Sequence, residues 1–254
     1  MPRIFRTPDY PDDVMVALDD VTKAFRLRRT QTIRETIVAA ARKKKLTDHF
    51  EALHAVSFAV RQGESVALLG LNGSGKSTTL KMISGVLTPS SGTVWTRGRV
   101  AGLIEVGAGF HPDLSGRENV YLNAAILGMS KQETDDKFDE IVTFSGIERF
   151  IDTEVKHYSS GMFIRLAFSV AIHTHADVLL VDEVLSVGDA PFQEKCLAKI
   201  AEVRASGATL IVVSHDPKMI HMVCERALLM QDGAVIFDGR VEEGLDLLAS
   251  QPAS

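Results

Sequence analysis

The sequence predicts an α/β fold, because three apolar runs that read as buried strands each end in a chemically distinctive segment. Ser65-Val66-Ala67-Leu68-Leu69 lies between Gly63 and Gly70, Val178-Leu179-Leu180-Val181 ends in Asp182-Glu183, and Thr209-Leu210-Ile211-Val212-Val213 ends in Ser214-His215-Asp216. The first run leads directly into Gly70-Leu71-Asn72-Gly73-Ser74-Gly75-Lys76-Ser77-Thr78, and Leu80, Ile83 and Leu87 follow at helical spacing. A G-x-x-x-x-G-K-[ST] loop between a strand and a helix is a phosphate-binding P-loop in the context it requires.

Each motif carries its own chemistry. Backbone N–H groups of the glycine-rich turn surround phosphate oxygens, and the helix N-terminus adds a favourable dipole. Lys76 is expected to reach the β/γ-phosphates of a nucleotide and the Ser77 hydroxyl to ligate Mg²⁺. In a P-loop fold an acid at a strand end holds the metal, which is Asp182, and Glu183 then orients or deprotonates the attacking water. Plain solvated strand termini are the alternative for both. His215 is placed either to contact the γ-phosphate or to make a local hydrogen bond.

The remaining elements follow in chain order. Residues 1–13 hold three prolines and read as a loose arm, and Val14–Leu18 as a strand. Phe25 suits stacking on a purine ring or a place in the core. Residues 26–50 set Arg26, Arg28, Arg29, Arg34, Arg42, Lys43, Lys44 and Lys45 against only Glu35 and Asp48, with Ile33, Ile37 and Ala41 on one helical face. Such a basic amphipathic helix fits an anionic membrane surface or headgroup, or is simply solvated. His54–Val60 reads as a strand, Pro89-Ser90-Ser91-Gly92 as a turn, and Thr93–Trp95 and Val100–Ile104 as short strands. Residues 116–172 read as a helical subdomain, in which Ser130 and Glu133 form a capping box. Asp232-Gly233 marks a hairpin, and Val241–Ala249 a short amphipathic helix.

Whole-chain properties exclude some functions. With 45% hydrophobic and 24% charged residues over 254 positions, one α/β domain with a sizeable core is expected. A net charge of −5 argues against a nucleic-acid binder. Cys196 and Cys224 have neither metal-ligand nor disulfide spacing and are expected to be reduced thiols. No signal-like segment or run of about eighteen apolar residues occurs, so any membrane role is expected to need a partner.

Together these motifs resemble the ATP-binding cassette, the nucleotide-binding subunit of ABC transporters, from about Val14 to Ala249. Tyr158-Ser159-Ser160-Gly161-Met162 matches the family's L-S-G-G-Q signature, Ser186-Val187-Gly188-Asp189 its D-loop and His215 its switch histidine. The resemblance implies the ABC ATPase fold: a mixed sheet core with a β-subdomain and a helical subdomain. It also implies two copies meeting head to tail, with Ser159 and the Gly161 N–H of one closing on the γ-phosphate held by the other. Glu105 falls where the family usually has a metal-contacting Gln.

The departures narrow the resemblance. The Tyr158–Met162 signature, Gly107-Ala108-Gly109-Phe110-His111-Pro112 leading to Gly116-Arg117-Glu118-Asn119, and Val181–Asp189 are similar to the branch that exports lipid-linked polysaccharides such as O-antigens and teichoic acids. That branch also carries a basic helical insert, thought to lie near the membrane and the anionic lipid-linked glycan headgroup. The resemblance thus implies a membrane permease as partner and a place on the cytoplasmic face of the inner membrane. A carbohydrate-binding domain like that of some relatives is not expected, since the sequence stops at Ser254. The alternatives are a cassette for another cargo or a soluble, non-transport ATPase switch.

Overall fold

The computed structural model describes residues 10–28, 47–103, 107–182 and 189–251. Nine strands form two sheets among them. Strands β1 (Val14–Arg28), β2 (Thr47–Arg61) and β4 (Ser91–Thr96) make an antiparallel sheet in the order β2-β1-β4. The second sheet contains β3 (Ser65–Leu69), β5 (Val100–Gly102), β6 (Val178–Val181), β7 (Thr209–Val212), β8 (Arg226–Gln231) and β9 (Ala234–Arg240). Its order is β5-β6-β7-β3-β8-β9, parallel except for the antiparallel β9. The mixed α/β fold expected from the sequence is the fold observed.

The continuous apolar runs mark strands covered on both faces. On one face Leu69, Val181, Val212 and Leu229 pack against Phe168, Phe192 and Ile200. On the other, Val66, Leu68, Leu180 and Ile211 meet Leu80 and Ile83 together with Val16, Leu18 and Leu53 of the antiparallel sheet. Both layers therefore clamp β3, the strand that delivers the P-loop.

Helix α1 (Lys76–Ile83) follows that loop, and α2 (Gly116–Ile126), α3 (Lys131–Ser145) and α4 (Ser160–His173) make the helical subdomain. The Ser130–Glu133 capping box is present, and Ser115 with Glu118 forms a second. The subdomain core is Val120, Phe138, Ile141 and Ile151 with Leu166 and Val170 of α4. Helix α4 also sends Phe168 and Ile172 into the sheet core, so one helix belongs to both units. Helices α5 (Ala190–Ala205), α6 (Pro217–Val223) and α7 (Val241–Ser250) complete the chain.

The largest boundary differences from the sequence reading are in β1, β2 and α1. Strand β1 runs ten residues past Leu18, and β2 begins at Thr47 rather than His54. Register shifts between Leu18 and Ala24, with Asp20 and Ala55 at positive φ, break the alternation that would reveal the pairing. The two strands consequently take up residues 26–28 and 47–50 at the ends of the basic stretch. Residues 29–46, the centre of the expected helical insert, lie outside the described residues. Helix α1 stops before Gly85, and Leu87 packs as a loop residue.

An ionic cluster ties α3 to α5. Glu140 accepts from Lys137 at 2.8 Å and Lys199 at 3.1 Å, and His173 Nε2 lies 3.4 Å away. The Lys137 hydrogen bond, then Lys199 and His173, hold this carboxyl down at about 2. A depressed carboxylate stabilises the fold above its unfolded pKa and loses that contribution as pH falls through the folded one. Glu140→Gln is therefore expected to lower the unfolding free energy measured in urea at pH 7, by about 1 kcal/mol or less because the pairs are partly exposed. The gap from wild type should shrink as pH drops from 4.5 toward about 2.

Candidate functional site

The P-loop is shaped by glycines that no other residue replaces. Gly70 has φ +145°, and a Cβ there would lie 2.3 Å from the Met230 carbonyl oxygen and 2.5 Å from Ser74 Oγ. Gly75, at φ +107°, would strike Leu53 Cδ2 at 2.5 Å. Gly73 faces open space but needs its φ of +82°. The loop is braced from behind by the β8–β9 hairpin, where Gly233 N donates to the Ser74 carbonyl at 3.2 Å and His54 N to the Gly233 carbonyl at 2.8 Å. Leu71 and Asn72 form its outer rim, while Lys76, Ser77 and Thr78 open α1.

Lys76 is 7% exposed, and its Nζ donates to the carbonyls of Gly70 at 2.7 Å and Leu71 at 3.0 Å. The ammonium therefore sits inside the loop. Ser74 Oγ is buried with no hydrogen-bond partner among the described residues. A buried hydroxyl without a partner, beside a glycine-rich turn and a helix start with no acid in its first turn, fits an anion such as phosphate.

Strand order brings the other motifs to the same edge. Ala67, Val212 and Val181 share one row across β3, β7 and β6. Asp182 and His215 consequently leave the sheet beside the P-loop, Asp182 half-buried from β6 and His215 exposed from the strand between them. The turn at His215 is set by Asp216, whose N–H donates to Ser214 Oγ at 3.0 Å and whose carboxylate accepts from Lys218 N at 2.9 Å. Ser77 and Asp182 are hard oxygen donors of the kind Mg²⁺ takes. No group of three His, Cys, Asp or Glu forms a cage among the described residues, so such an ion would share its shell with substrate phosphates. Glu183 and Glu105 lie outside the described residues, as do Ser186, Val187 and Gly188.

Phe25 is half-buried on β1 with the Lys23 ammonium 5.2 Å from its ring centroid. Lys23 pairs with Leu53, whose Cδ2 lies beside Gly75, and Phe25 stands two residues further along β1, opposite Phe50. Ser159 and Gly161 sit elsewhere, at the start of α4, where Ser159 Oγ accepts from Met162 N at 3.2 Å. The groove in front of them is lined by Ile147, Phe150, Met162, Arg165 and Asp189 and by no P-loop residue. A Cβ at Gly161 would meet only Ser159 Oγ among the described residues, at 3.9 Å, so none of them requires glycine there.

Sequence reading missed several contributors. Asn119 is fully buried, accepts from His111 N at 2.7 Å and donates to the carbonyls of His111, Leu114 and Ser115. Arg165 pairs with Asp189 and lies over the Phe192 ring, joining α4 to the start of α5. The Gly116–Asn119 motif was visible in the sequence, but nothing local revealed its role as a loop anchor.

This fold and this site define a P-loop nucleotide-binding protein. A family profile described as ABC transporter matches residues 53–186, and the chain belongs to that family. It is 43% identical over 225 residues to the ABC transporter protein AbcA of Aeromonas salmonicida, covering 89% of this chain and 72% of that one. It is 44% identical over 196 residues to the O-antigen export system ATP-binding protein RfbB of Klebsiella pneumoniae, covering 77% and 80%. Against the teichoic acids export ATP-binding protein TagH of Levilactobacillus brevis the figures are 39% over 227 residues, 89% and 62%. Among solved structures, an ATP-binding subunit of an ABC transporter superposes with a TM-score of 0.73 at 23% identity, covering 94% of this chain and 95% of that one. A dimeric cassette in a post-hydrolysis state with ADP and Pi superposes at 0.70 and 24%, covering 89% and 99%. No helix among the described residues is long and apolar enough to cross a membrane.

Proposed function

We infer that the chain is the ATP-hydrolysing subunit of an ABC exporter that moves a lipid-linked polysaccharide across the cytoplasmic membrane. The similarity to O-antigen and teichoic acid export proteins carries this reading, and the convergence of β3, β6 and β7 on one edge supports the chemistry. The P-loop N–H groups and Lys76 bind the phosphates of ATP, and Phe25 stacks on its base. Ser77 and Asp182, with Glu105 as a further candidate, hold Mg²⁺, which neutralises phosphate charge. Glu183 orients the attacking water and takes its proton, while His215 contacts the γ-phosphate. Catalysis is mainly positioning and electrostatics.

The site is completed by a second copy. Ser159 and the Gly161 N–H lie on a separate element from the P-loop, and the absence of crowding at Gly161 by any described residue supports an approach from outside the chain. ATP then bridges two subunits, and hydrolysis lets them part. The helical subdomain passes that motion to a membrane permease, and the exposed Val86 and Ile126, which border one groove between α1 and α2, support contact there. The subunit so held is peripheral, on the cytoplasmic face. Purification in detergent should recover a multi-span membrane protein with the chain; recovery on ribosomes as a soluble protein would overturn the reading.

We assign residues 26–50 to the anionic headgroup of the lipid-linked glycan, on the strength of their charge. Neutralising Lys43, Lys44 and Lys45 is expected to weaken binding to anionic liposomes about a hundredfold, at about 1 kcal/mol of surface attraction per charge, and to impair export. ATP hydrolysis by the isolated subunit should change little. Unchanged binding to anionic liposomes together with unchanged export would remove this role.

A further inference from the structure

The residue that opens the signature, Tyr158, is locked into a strap that joins the start of α2 to the segment before α4. Residues 150–158 run along residues 112–117: Lys156 N donates to the Pro112 carbonyl at 2.9 Å, Val155 N to Leu114 at 2.9 Å, and Arg117 N to Ile151 at 2.8 Å. Arg117 Nε adds an ion pair with Asp152 at 2.7 Å. Tyr158 closes the end of this strap. Its hydroxyl donates to the Phe150 carbonyl at 2.7 Å, and its ring end lies against Gly116, where a Cβ would come within 2.1 Å of the Tyr158 oxygen. Burial pushes the phenol up to about 12, so it remains a donor. The next residue, Ser159, caps α4.

We propose that Tyr158 is a positioning residue for ATP-dependent pairing: held by the Phe150 carbonyl and the bare face of Gly116, it sets where Ser159 and the first N–H groups of α4 meet the terminal phosphate bound by the partner. This rests on the two-copy reading above. It also explains why the Tyr158 signature and the Gly116 motif occur together in this chain, since the tyrosine oxygen occupies the space a side chain at 116 would need. The signature donors are neutral, and their strength depends on distance, so a shift of about 1 Å at the start of α4 weakens them sharply.

The test uses the full chain carrying Glu183→Gln, with the pairing constant in ATP measured by analytical ultracentrifugation and ATP-analogue affinity measured on dilute, unpaired subunits. Tyr158→Phe is expected to weaken pairing about fivefold per site, hence about 25-fold for the two sites of a dimer, the effect of losing one hydrogen bond at each. Nucleotide affinity of the separate subunit should stay within about twofold. Gly116→Ala, whose Cβ would press on the Tyr158 oxygen and also lie 3.0 Å from the Ile151 carbonyl oxygen, should weaken pairing at least as much. Unchanged pairing of Tyr158→Phe, or an equal loss of pairing and nucleotide affinity, would overturn the proposal while leaving the dimer intact. Failure of the Glu183→Gln parent itself to pair would overturn the two-copy reading, and the role of Tyr158 with it.

Discussion

Lys76→Ala is expected to abolish measurable ATP binding. Lys76 is 7% exposed and its ammonium is already held inside the loop by the Gly70 and Leu71 carbonyls, so it needs little reorganisation to meet a phosphate oxygen. A charge-assisted hydrogen bond to phosphate is worth about 1.5–3 kcal/mol, and the truncation also removes the two contacts that shape the loop. The combined loss should exceed about a hundredfold in affinity. Calorimetric titration with MgATP checks this, with an unchanged circular dichroism spectrum to show that the chain still folds. Affinity equal to wild type would remove Lys76 from the phosphate site and the P-loop from its assigned role.

Glu183→Gln separates binding from turnover. An amide keeps the shape of the carboxylate and can still orient a water, but it cannot accept the water's proton. General-base assistance contributes about 10²–10⁴-fold, so hydrolysis should fall by about that factor while ATP affinity holds. With the bridging phosphates left intact, the variant should elute as a dimer in ATP and as a monomer without it. Wild-type hydrolysis in Glu183→Gln would require another base. A fully active subunit that never pairs would refute the two-copy mechanism.

Much of this site was legible in the sequence because its chemistry is local. The P-loop is a run of contiguous residues whose glycines set the backbone, and the apolar strands announce themselves by composition alone. Other elements were hidden for identifiable reasons. Helix α5 buries only Phe192, Cys196 and Ile200, too narrow a stripe to stand out. The long β1–β2 pairing was obscured by its register shifts. The Ser115 capping box had a visible Ser-x-x-Glu pattern at the start of the expected helical region, and only the structure showed its reciprocal hydrogen bonds.

By itself, then, the sequence determined the fold class, the glycine-rich loop after β3 and the place of Asp182 at the end of β6, since backbone conformation and strand burial follow from neighbouring residues. The tertiary structure decided that β7 lies between β3 and β6, that α4 serves both the sheet and the helical subdomain, and that Tyr158 fills the space left by Gly116. Those facts join residues tens of positions apart, and contacts of that kind depend on register and close packing, which no local pattern encodes.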